Sequence, residues 1–430
     1  MWSEKAESLR AGRPDPHPSI PLTAECRSDT MKICLNLLAS TAGGQLTRAR
    51  AFLERFDRHT HGCDLLVLKE HKVLSEYVTR PGLEIVNVKV GLGRLKALRR
   101  MAWENLNLHS MLRKECVDGY LTFSHYLPSN FPTGIPAVVG VSNLAPFSML
   151  ARREERWMVR TKMLLLRRSI LASVRRASSV IALSEACRQE LEQRGVAGNT
   201  IETIPNGVDD FWRQRNGVQE AAPSVPWDRF FLYVSHFHRY KNHGRLLSAY
   251  AQLPGTLRRE IPLILVGRPY DGRYHREILA QRELLGLGDQ VVINPGVDAQ
   301  TLRTLYQRTK LFVFPSMIEN CPNILLEAMA AGAPVLASNQ RPMPEFGGEA
   351  AVYFDPLDSP LLANKMEELA NSRERLVHMS QRSAALARQY SWDNFVTRVF
   401  RLCAQVSENT PRNNSKYLVS PDAACERNVC

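Results

Sequence analysis

The sequence lacks the features of several specialised classes of protein. No apolar stretch approaches the roughly 20 residues that a membrane-spanning helix needs, since residues 135–141 and 328–337 are among the longest. The first thirty residues have no apolar core of the signal-peptide kind, so we expect residues 1–30 to be a disordered extension. With 44% hydrophobic and 23% charged residues, the chain of 430 residues is not disordered, collagenous or a disulfide scaffold.

Patterns typical of metal and redox sites are also missing. The nine cysteines are odd in number and scattered, and neither a C-x-x-C nor an Asp-x-Asp pattern occurs. Near the predicted phosphate loop, His236 and His238 have the spacing of metal ligands. We therefore expect no metal, no disulfide framework and a reducing, cytoplasmic compartment.

Basic residues are abundant but unevenly distributed. The net charge is +13, and residues 31–200 hold 26 basic and 14 acidic side chains, whereas residues 201–430 hold 26 and 24. A basic half beside a nearly neutral half favours a surface that meets anions, such as phospholipid, a phosphorylated substrate or nucleic acid. The alternative is a solvated basic face that has no partner.

Short apolar runs alternate with longer helical patterns in both halves, which is typical of β-α-β units with a parallel sheet. The first half is predicted to have strands at 31–38, 64–68, 83–90, 120–124, 137–141 and 180–183, and helices at 46–58, 95–114, 149–176 and 184–194. The second half is predicted to have strands at 230–234, 263–266, 291–294, 311–314 and 334–337. The predicted fold class is therefore α/β, with two tandem Rossmann-like doubly wound domains facing across a cleft.

A turn-rich segment from Pro205 and a polar stretch to Asp228 mark the boundary between the halves. We expect an N-terminal domain over 31–204 and a C-terminal domain over 205–390. A C-terminal helix over 391–406 is a candidate to return to the N-terminal domain, and 407–430 is expected to be a disordered tail.

Two glutamates, Glu319 and Glu327, flank the predicted start of a helix that follows a buried strand. This helix is predicted to begin near Pro322 and to end at Gly332. Its opening backbone amides favour an anion, so the two carboxylates can hold hydroxyls on either side of a phosphate, as in a nucleotide-sugar. The alternative is that Glu319 caps the helix and Glu327 is solvated.

The two glutamates resemble the E-x7-E element of the retaining glycosyltransferases of family four, which have the GT-B fold. Further segments resemble the same family in the same order, strongly in the second half and weakly in the first: 204–209, 231–250, 263–267, 294–297, 354–356 and 390–392. Several motifs in the right order are more specific than any one of them.

The resemblance implies that the C-terminal domain binds a nucleotide-diphospho-sugar donor and the N-terminal domain an acceptor. It assigns Glu319 to the hydroxyls of the donor sugar, Glu327 to the ribose hydroxyls and Lys241 to the diphosphate. The segment Asn320, Cys321, Pro322, Asn323 and Ile324 is assigned to the sugar and phosphate through the backbone amides of its non-proline residues. A further matching strand end carries Gly296 and Val297. The alternative for Lys241 is an exposed lysine at a helix start, where positive charge is disfavoured.

The sequence departs from the family at one point. The family usually has an arginine five or six positions before the lysine, where this chain has Ser235 and His236. Either His236 or Arg239 is a candidate for the second cation at the diphosphate, and the sequence leaves both open.

Three features of the N-terminal half resemble parts of the same site. Gly43 and Gly44 resemble the glycine-rich loop near the donor phosphate, with a plain strand-to-helix turn as the alternative. His125 follows a predicted strand where the family often has a histidine facing the donor sugar, and a locally bonded loop histidine is the alternative. Asn143 ends the next strand and is assigned to the acceptor side.

The basic residues of the first half lie mainly in two predicted helical stretches, 93–114 and 151–176, where Trp103, Trp157 and several leucines are interspersed. Basic amphipathic helices of this kind suit an anionic membrane surface. Alternatively, their apolar faces pack on the sheet of the domain while the arginines are solvated.

We therefore predict a retaining hexosyltransferase of polysaccharide biosynthesis, peripheral to the inner face of the membrane. It would move a sugar from a nucleotide-diphospho-sugar to a saccharide or lipid-linked saccharide, with no cofactor and no nucleic acid partner. The alternatives are a GT-B phosphorylase or soluble disaccharide synthase, and a basic membrane- or nucleic-acid-binding module with a dead donor site.

Overall fold

The computed structural model of the protein describes residues 30–91, 93, 95–214 and 228–410, which form two parallel β-sheets flanked by helices. The predicted extension at 1–29 and the predicted tail from 411 onward lie outside the described residues. The strands of the first sheet are β1 (Met31–Asn36), β2 (Cys63–Glu70), β3 (Leu83–Val88), β4 (Gly119–Thr122), β5 (Ala137–Val141), β6 (Ser179–Ala182) and β7 (Ile201–Thr203). Their order is β3-β2-β1-β4-β5-β6-β7.

Helices join most of these strands, as β-α-β units require, whereas loops join β2 to β3 and β4 to β5. The helices are α1 (Gly43–Arg55), α2 (Arg58–His61), α3 (Lys96–Trp103), α4 (His109–Lys114), α5 (Met149–Glu154), α6 (Trp157–Val174) and α7 (Glu185–Glu192), and a π-helical segment, Glu104–Leu108, links α3 to α4. The prediction of one continuous helix over 149–176 is wrong, because this segment forms two helices, α5 and α6. It breaks at Glu155 and Arg156, and the side chain of Arg160 donates to the carbonyls of Arg153 and Glu155, both at 2.5 Å, which satisfies groups that the break exposes.

The second sheet has six strands in the order β10-β9-β8-β11-β12-β13. They are β8 (Phe231–Val234), β9 (Leu263–Val266), β10 (Val291–Asn294), β11 (Leu311–Phe314), β12 (Val335–Ser338) and β13 (Ala351–Phe354). The helices of this half are α8 (His243–Ala251), α9 (Gly255–Glu260), α10 (Gly272–Leu284), α11 (Ala299–Arg308), α12 (Asn323–Ala330), α13 (Met343–Gly347), α14 (Ser359–Ala370), α15 (Arg373–Ala387) and α16 (Trp392–Glu408). Sequence patterns missed β7 and β13, which are short edge strands and only partly buried.

The last helix, α16, packs in the core of the first sheet. Phe395 and Phe400 lie 5.5 and 5.8 Å from the ring of Phe52 on α1. The helix continues to Glu408, past the predicted start of the tail at 407, and Val406 still packs against that core. Burial of the apolar face of α16 explains why helical order extends further than the sequence pattern indicated.

Among the described residues, no helix is long and apolar enough to cross a membrane. In the same part of the chain, no group of three or more His, Cys, Asp or Glu side chains is placed to hold a metal ion. Of the cysteines that the structure describes, five are free thiols: Cys34, Cys63, Cys187, Cys321 and Cys403. Cys116 is disulfide-bonded, which the scattered cysteine spacing gave no sign of.

Candidate active site

A lysine and a glutamate from adjacent strand ends form an ion pair in the second domain. Lys241 ends a 3₁₀ turn after β8, and Glu319 lies in the loop after β11, the next strand in the sheet. Lys241 Nζ is 2.5 Å from Glu319 Oε1, and the two side chains are 14% and 13% exposed. The order of strands changes direction between β8 and β11, so the pair lies at the switch point where sheets of this type bind ligands.

The two loops are fixed by hydrogen bonds that are independent of this ion pair. The amide of Met317 donates to the carbonyl of Tyr240 at 2.9 Å. Asn242 has a left-handed φ of 66° and its side chain donates to the carbonyls of Pro315 and Pro356 at 3.1 and 2.7 Å. Lys241 is therefore held on a rigid turn, which limits the entropy lost when it binds a ligand.

Helix α12 begins one turn from Glu319 and has no side-chain cap. Its N-cap residue is Pro322, and no acidic residue lies in its first turn. Glu319 pairs with Lys241 instead of capping the helix. The positive end of the helix dipole is thus left without an acidic side chain of its own, which favours an anionic ligand there.

The side chains around the start of α12 reach across to the first domain. Asn320 is buried, and its Nδ2 donates to the carbonyl of Val141 at 2.7 Å while Ser184 donates to its Oδ1 at 3.3 Å. The Nδ2 of Asn206 donates to Asn323 Oδ1 at 2.8 Å. These side-chain contacts between the halves were not predicted, because the partners lie more than 100 residues apart in the chain.

The glycine turn of the first domain meets the same helix. A Cβ atom on Gly44 would lie 3.1 Å from Nδ2 of Asn323, so a larger residue would crowd this contact. Gly43 has a φ of 57°, which favours glycine. The structure therefore brings Gly43 and Gly44 together with the opening of α12.

Sequence reasoning missed Arg48, which lies on α1 just after the glycines. The residue is buried, its Nε donates to Asn206 at 3.1 Å and its Nη1 to Ser142 at 2.8 Å, and the guanidinium lies 4.4 Å from the ring centre of Phe123. Burial lowers the pKa of Arg48 to about 10. The sequence did contain a sign of its role, since an arginine near a helix start is unfavourable unless an anion or a polar partner offsets its charge.

His125 and Asn143 lie at the ends of β4 and β5 on the first-domain side. His125 has a left-handed φ of 61°, is buried, and accepts the amide of Ser142 at Nδ1 over 3.1 Å. Burial lowers the pKa of His125 to about 3, and the nearby guanidinium groups of Arg100 and Arg48 lower it further, so the imidazole is neutral at physiological pH. Asn143 accepts the amide of Ala145 at 3.0 Å in a local turn.

Glu327, on the second turn of α12, is half-buried. Burial raises the pKa of its carboxyl group to about 8, and the negative charge of Asp209 adds to the shift, while the hydroxyl of Tyr306 opposes it. This environment differs from that of a solvated carboxylate, the alternative that the sequence left open.

The two candidates for a second cation have different environments. Arg239 pairs with Glu277 at 2.5 Å and stacks over Tyr274 with its Cζ 5.2 Å from the ring centre. His236 is exposed; partial desolvation lowers its pKa, and the charges of Lys241 and Arg268 lower it further. Arg239 is therefore already neutralised and His236 is biased toward its neutral form.

Gly296 and Val297 lie apart from the ion pair. They follow β10, the outer strand, which is separated from β11 by β9 and β8. Three strand spacings amount to roughly 14 Å. The predicted donor-binding residues are thus not all gathered at one point, and these two lie toward the edge of the sheet.

Comparison with known proteins agrees with this arrangement. The family model described as glycosyl transferases group 1 matches residues 219–385, and the model described as glycosyltransferase family 4 matches residues 42–210. The chain belongs to the GT-B glycosyltransferases of the family 4 type. Both the predicted fold class and the predicted family are therefore confirmed.

Relatives of known class match parts of the chain. The serotype-specific mannosyltransferase WbdA of Escherichia coli is 29% identical over 232 residues, which are 52% of this chain and 28% of that protein. The O-antigen chain mannosyltransferase B of Escherichia coli is 34% identical over 175 residues, 40% of this chain and 45% of that protein. This chain thus spans less than half the length of these relatives.

Solved structures share the fold over most of the chain. Sucrose-phosphate synthase from Thermosynechococcus elongatus superposes with a TM-score of 0.71 at 21% identity, covering 87% of this chain and 99% of that one. Anabaena HepE in complex with UDP-glucose gives a TM-score of 0.67 at 18% identity, covering 87% of this chain and 100% of that one.

Proposed function

We propose that the protein is a retaining hexosyltransferase that moves a sugar from a nucleotide-diphospho-sugar to a saccharide or lipid-linked saccharide. The observation that carries this proposal is the Lys241–Glu319 pair beside the uncapped start of α12. A cation, a carboxylate and open helix amides together match a diphosphate joined to a hydroxylated sugar. Relatives named as mannosyltransferases and the UDP-glucose bound to HepE support the same substrate class.

In this proposal, the ion pair separates when the donor binds. Lys241 turns to the diphosphate and neutralises the charge that builds on the departing nucleotide, and Glu319 accepts hydrogen bonds from the sugar hydroxyls. Glu327 holds the ribose hydroxyls, and the Gly43–Gly44 turn lets the phosphates approach the backbone closely. In the free protein, the pair keeps both charges balanced in a partly desolvated cleft.

The reaction is proposed to take place on one face of the sugar. The bond from the anomeric carbon to the phosphate oxygen breaks while a bond to the acceptor oxygen forms on the same side, and the leaving phosphate takes the acceptor's proton. His125, being neutral, contributes a hydrogen bond and does not act as an acid. The contacts between the domains exclude water from this step.

The acceptor is proposed to lie at the cytoplasmic face of an anionic membrane. The C-terminal part of α6 packs on the sheet through Ile170 and Val174, but its start exposes Trp157 (72%) and Leu165 (58%) among arginines. The packing alternative therefore describes the C-terminal part of the helix, and the exposed apolar side chains support the membrane alternative for the rest. Exposed apolar side chains within a basic surface match a membrane interface, where each cation is worth about 1 kcal/mol.

Substitution of the ion pair tests the donor site. Glu319→Gln and Lys241→Met should each lower transfer by at least about 100-fold, because each removes an electrostatic contact to developing charge. Nucleotide release is measured with a panel of nucleotide-diphospho-sugars, and circular dichroism verifies folding. The double variant controls for the unpaired charge that each single substitution leaves behind. Lys365→Met and Glu368→Gln remove an exposed ion pair on α14 and should remain active. Near-normal turnover in either site variant would contradict the assignment.

The same assays separate the alternative functions. Release of sugar 1-phosphate with inorganic phosphate, without nucleotide release, would indicate a phosphorylase. If no nucleotide-diphospho-sugar raised the melting temperature, the protein would instead be a binding module with a dead donor site.

Co-sedimentation with liposomes tests the membrane surface. Arg153→Glu with Arg156→Glu should weaken binding to vesicles containing anionic lipid, and added salt should do the same to the wild type. The control, Arg373→Glu with Arg388→Glu, makes the same charge change at exposed positions of the second domain. Binding that ignores lipid charge, or that both double variants weaken equally, would overturn this part of the proposal.

A further inference from the structure

A cavity of about 400 Å³ lies in the first domain, outside the site described above. It is formed by the carboxyl end of β2, the outer strand β3 and the loop between them. Its polar lining comprises Lys69, His71, Ser75, Tyr77, Thr79 and Asn87.

Lys69 is the buried cation of this cavity, with 3% of its surface exposed. Its Nζ donates to the carbonyl of Val73 at 3.1 Å, and no carboxylate of the described residues lies within ion-pair distance of it. Burial lowers the pKa of Lys69, and the more distant charge of Glu76 opposes this shift. An ammonium group held in this way has two N–H donors left and a charge that the protein does not neutralise.

The nearby carboxylates are already engaged elsewhere. Glu70 accepts the amides of Val90 and Gly91 at 3.0 and 3.1 Å, and its other oxygen lies 2.6 Å from Nδ1 of the lining residue His71. Glu76 pairs with Arg50 at 3.3 Å, and Glu54 accepts the hydroxyl of Tyr77 at 2.8 Å. Glu54, Glu70 and Glu76 therefore form their close contacts with groups other than Lys69.

The rest of the lining suits an oxygen-rich ligand. Thr79 accepts the amide of Ile85 at 3.0 Å, which leaves its hydroxyl hydrogen available to donate. The side chains of Ser75 and Asn87 make no hydrogen bond to other described residues. One buried cation among hydroxyl and amide groups is the arrangement that a phosphate or carboxylate on a sugar requires.

The cavity lies at the carboxyl end of β2, beside the carboxyl end of β1 that leads to the glycine turn. β1 and β2 are adjacent and parallel, and the amide of Leu37 donates to the carbonyl of Leu68 at 2.8 Å where both strands end. From Leu37 the chain continues to Gly43 of the glycine turn, and from Leu68 it continues directly to Lys69 of the cavity lining. The loop that covers the cavity is tied to α1, since Arg80 donates to the carbonyls of Leu53 and Phe56, both at 3.1 Å.

We propose that this cavity binds an anionic group, phosphate or carboxylate, of the saccharide acceptor, and that Lys69 holds its charge. The proposal rests on the proposed function, because it supplies the acceptor side of the same cleft. It restricts the acceptor to charged saccharides, a class that the donor motif does not specify.

Calorimetric titration of the full chain with three related sugars tests the proposal. Glucose 6-phosphate or glucuronate should bind at least tenfold more tightly than glucose, and the stronger of the two identifies the group. Lys69→Met should bind this charged sugar no more tightly than it binds glucose. Lys72→Met, which removes an exposed lysine three residues away, should bind as the wild type does.

The donor variant separates this test from the proposed function. Lys241→Met should keep its affinity for the charged sugar, so failure of the donor assignment leaves this result unaffected. Equal binding of all three sugars, no binding at millimolar concentration, or equal loss in both lysine variants would overturn the proposal. So would inorganic phosphate binding as tightly as the sugar phosphate, which would indicate a simple anion site.

Chemical labelling tests the same site in the wild-type protein, so its result does not depend on whether the Lys69→Met variant folds. The bound charged sugar should slow acylation of Lys69 and leave that of Lys72 unchanged, as measured by mass spectrometry. Glucose at the same concentration should protect neither lysine. Acylation of Lys69 that the charged sugar does not slow would contradict the assignment.

Discussion

The carboxyl group of Glu327 shows how the fold alters a single residue of the candidate site. An ordinary glutamate titrates near 4.5, but burial raises the pKa of Glu327 to about 8 in the folded protein. The folded state therefore binds this proton more tightly than the unfolded chain does. The stabilisation linked to this proton is fully present below pH 4.5 and is lost as the pH rises through 8.

Glu327→Gln should reveal this linkage, because glutamine cannot ionise. The urea midpoint of the variant minus that of the wild type should increase from pH 5 to pH 9. Glu368→Gln serves as a control whose midpoint difference should stay constant over this range, since hydrogen bonds from Lys365 and Arg375 lower the pKa of that exposed carboxylate and it is ionised in both states above pH 5. If the midpoint difference for Glu327→Gln stayed constant with pH, the shifted pKa would be wrong.

At the scale of elements, the second domain depends on close contact between neighbouring strand ends. A Cβ atom on Gly267, just after β9, would lie 1.8 Å from the carbonyl oxygen of Ser235, just after β8. The loop from Ser235 carries the turn that ends at Lys241. Glycine at this position therefore lets β9 and the Lys241 loop lie side by side.

Gly267→Ala should displace that loop. We expect unfolding free energy to fall by about 1–3 kcal/mol, as in other overpacked sites, and nucleotide-diphospho-sugar binding to weaken with it. Gly272→Ala is the matched control, because nothing lies within 4 Å of a Cβ at that helix start. Urea titration and thermal shift with donor would measure both effects, and an unchanged variant would show that the loop tolerates the methyl group.

At the scale of the whole molecule, polar contacts hold the two domains together. Glu345 of α13 accepts the amides of Glu185 and Ala186 at 2.7 and 3.2 Å, and thus caps α7 of the other domain. Arg245 of the second domain pairs with Glu154 of the first at 3.1 Å. A carboxylate at a helix N-terminus also gains from the helix dipole.

Glu345→Ala should favour separation of the domains. Loss of about 1 kcal/mol of interaction free energy between the domains would change the ratio of closed to open molecules roughly fivefold. Small-angle X-ray scattering should then show a larger radius of gyration than in the wild type. Glu349→Ala is the control, since Glu349 pairs with Arg382 within its own domain at 3.5 Å. An unchanged radius of gyration for Glu345→Ala would mean that other contacts suffice for closure.

The sequence by itself determined the two α/β halves, the strands at 263–266, 291–294 and 311–314, and the family. These follow from apolar periodicity, turn residues and motif spacing, which are properties of neighbouring residues. It also predicted Glu319 as a site residue, from its place before a helix start, and Lys241, through the family resemblance. Their catalytic roles stay predictions.

Only the tertiary structure decided which distant side chains meet. The return of α16 to the first core, the partners of Arg48 and the contacts of Asn320 with Val141 join residues far apart in the chain. The unpaired charge of Lys69 depends equally on where its neighbours point. Local patterns specify helices and strands, but which buried polar groups find partners depends on how the two domains are packed together.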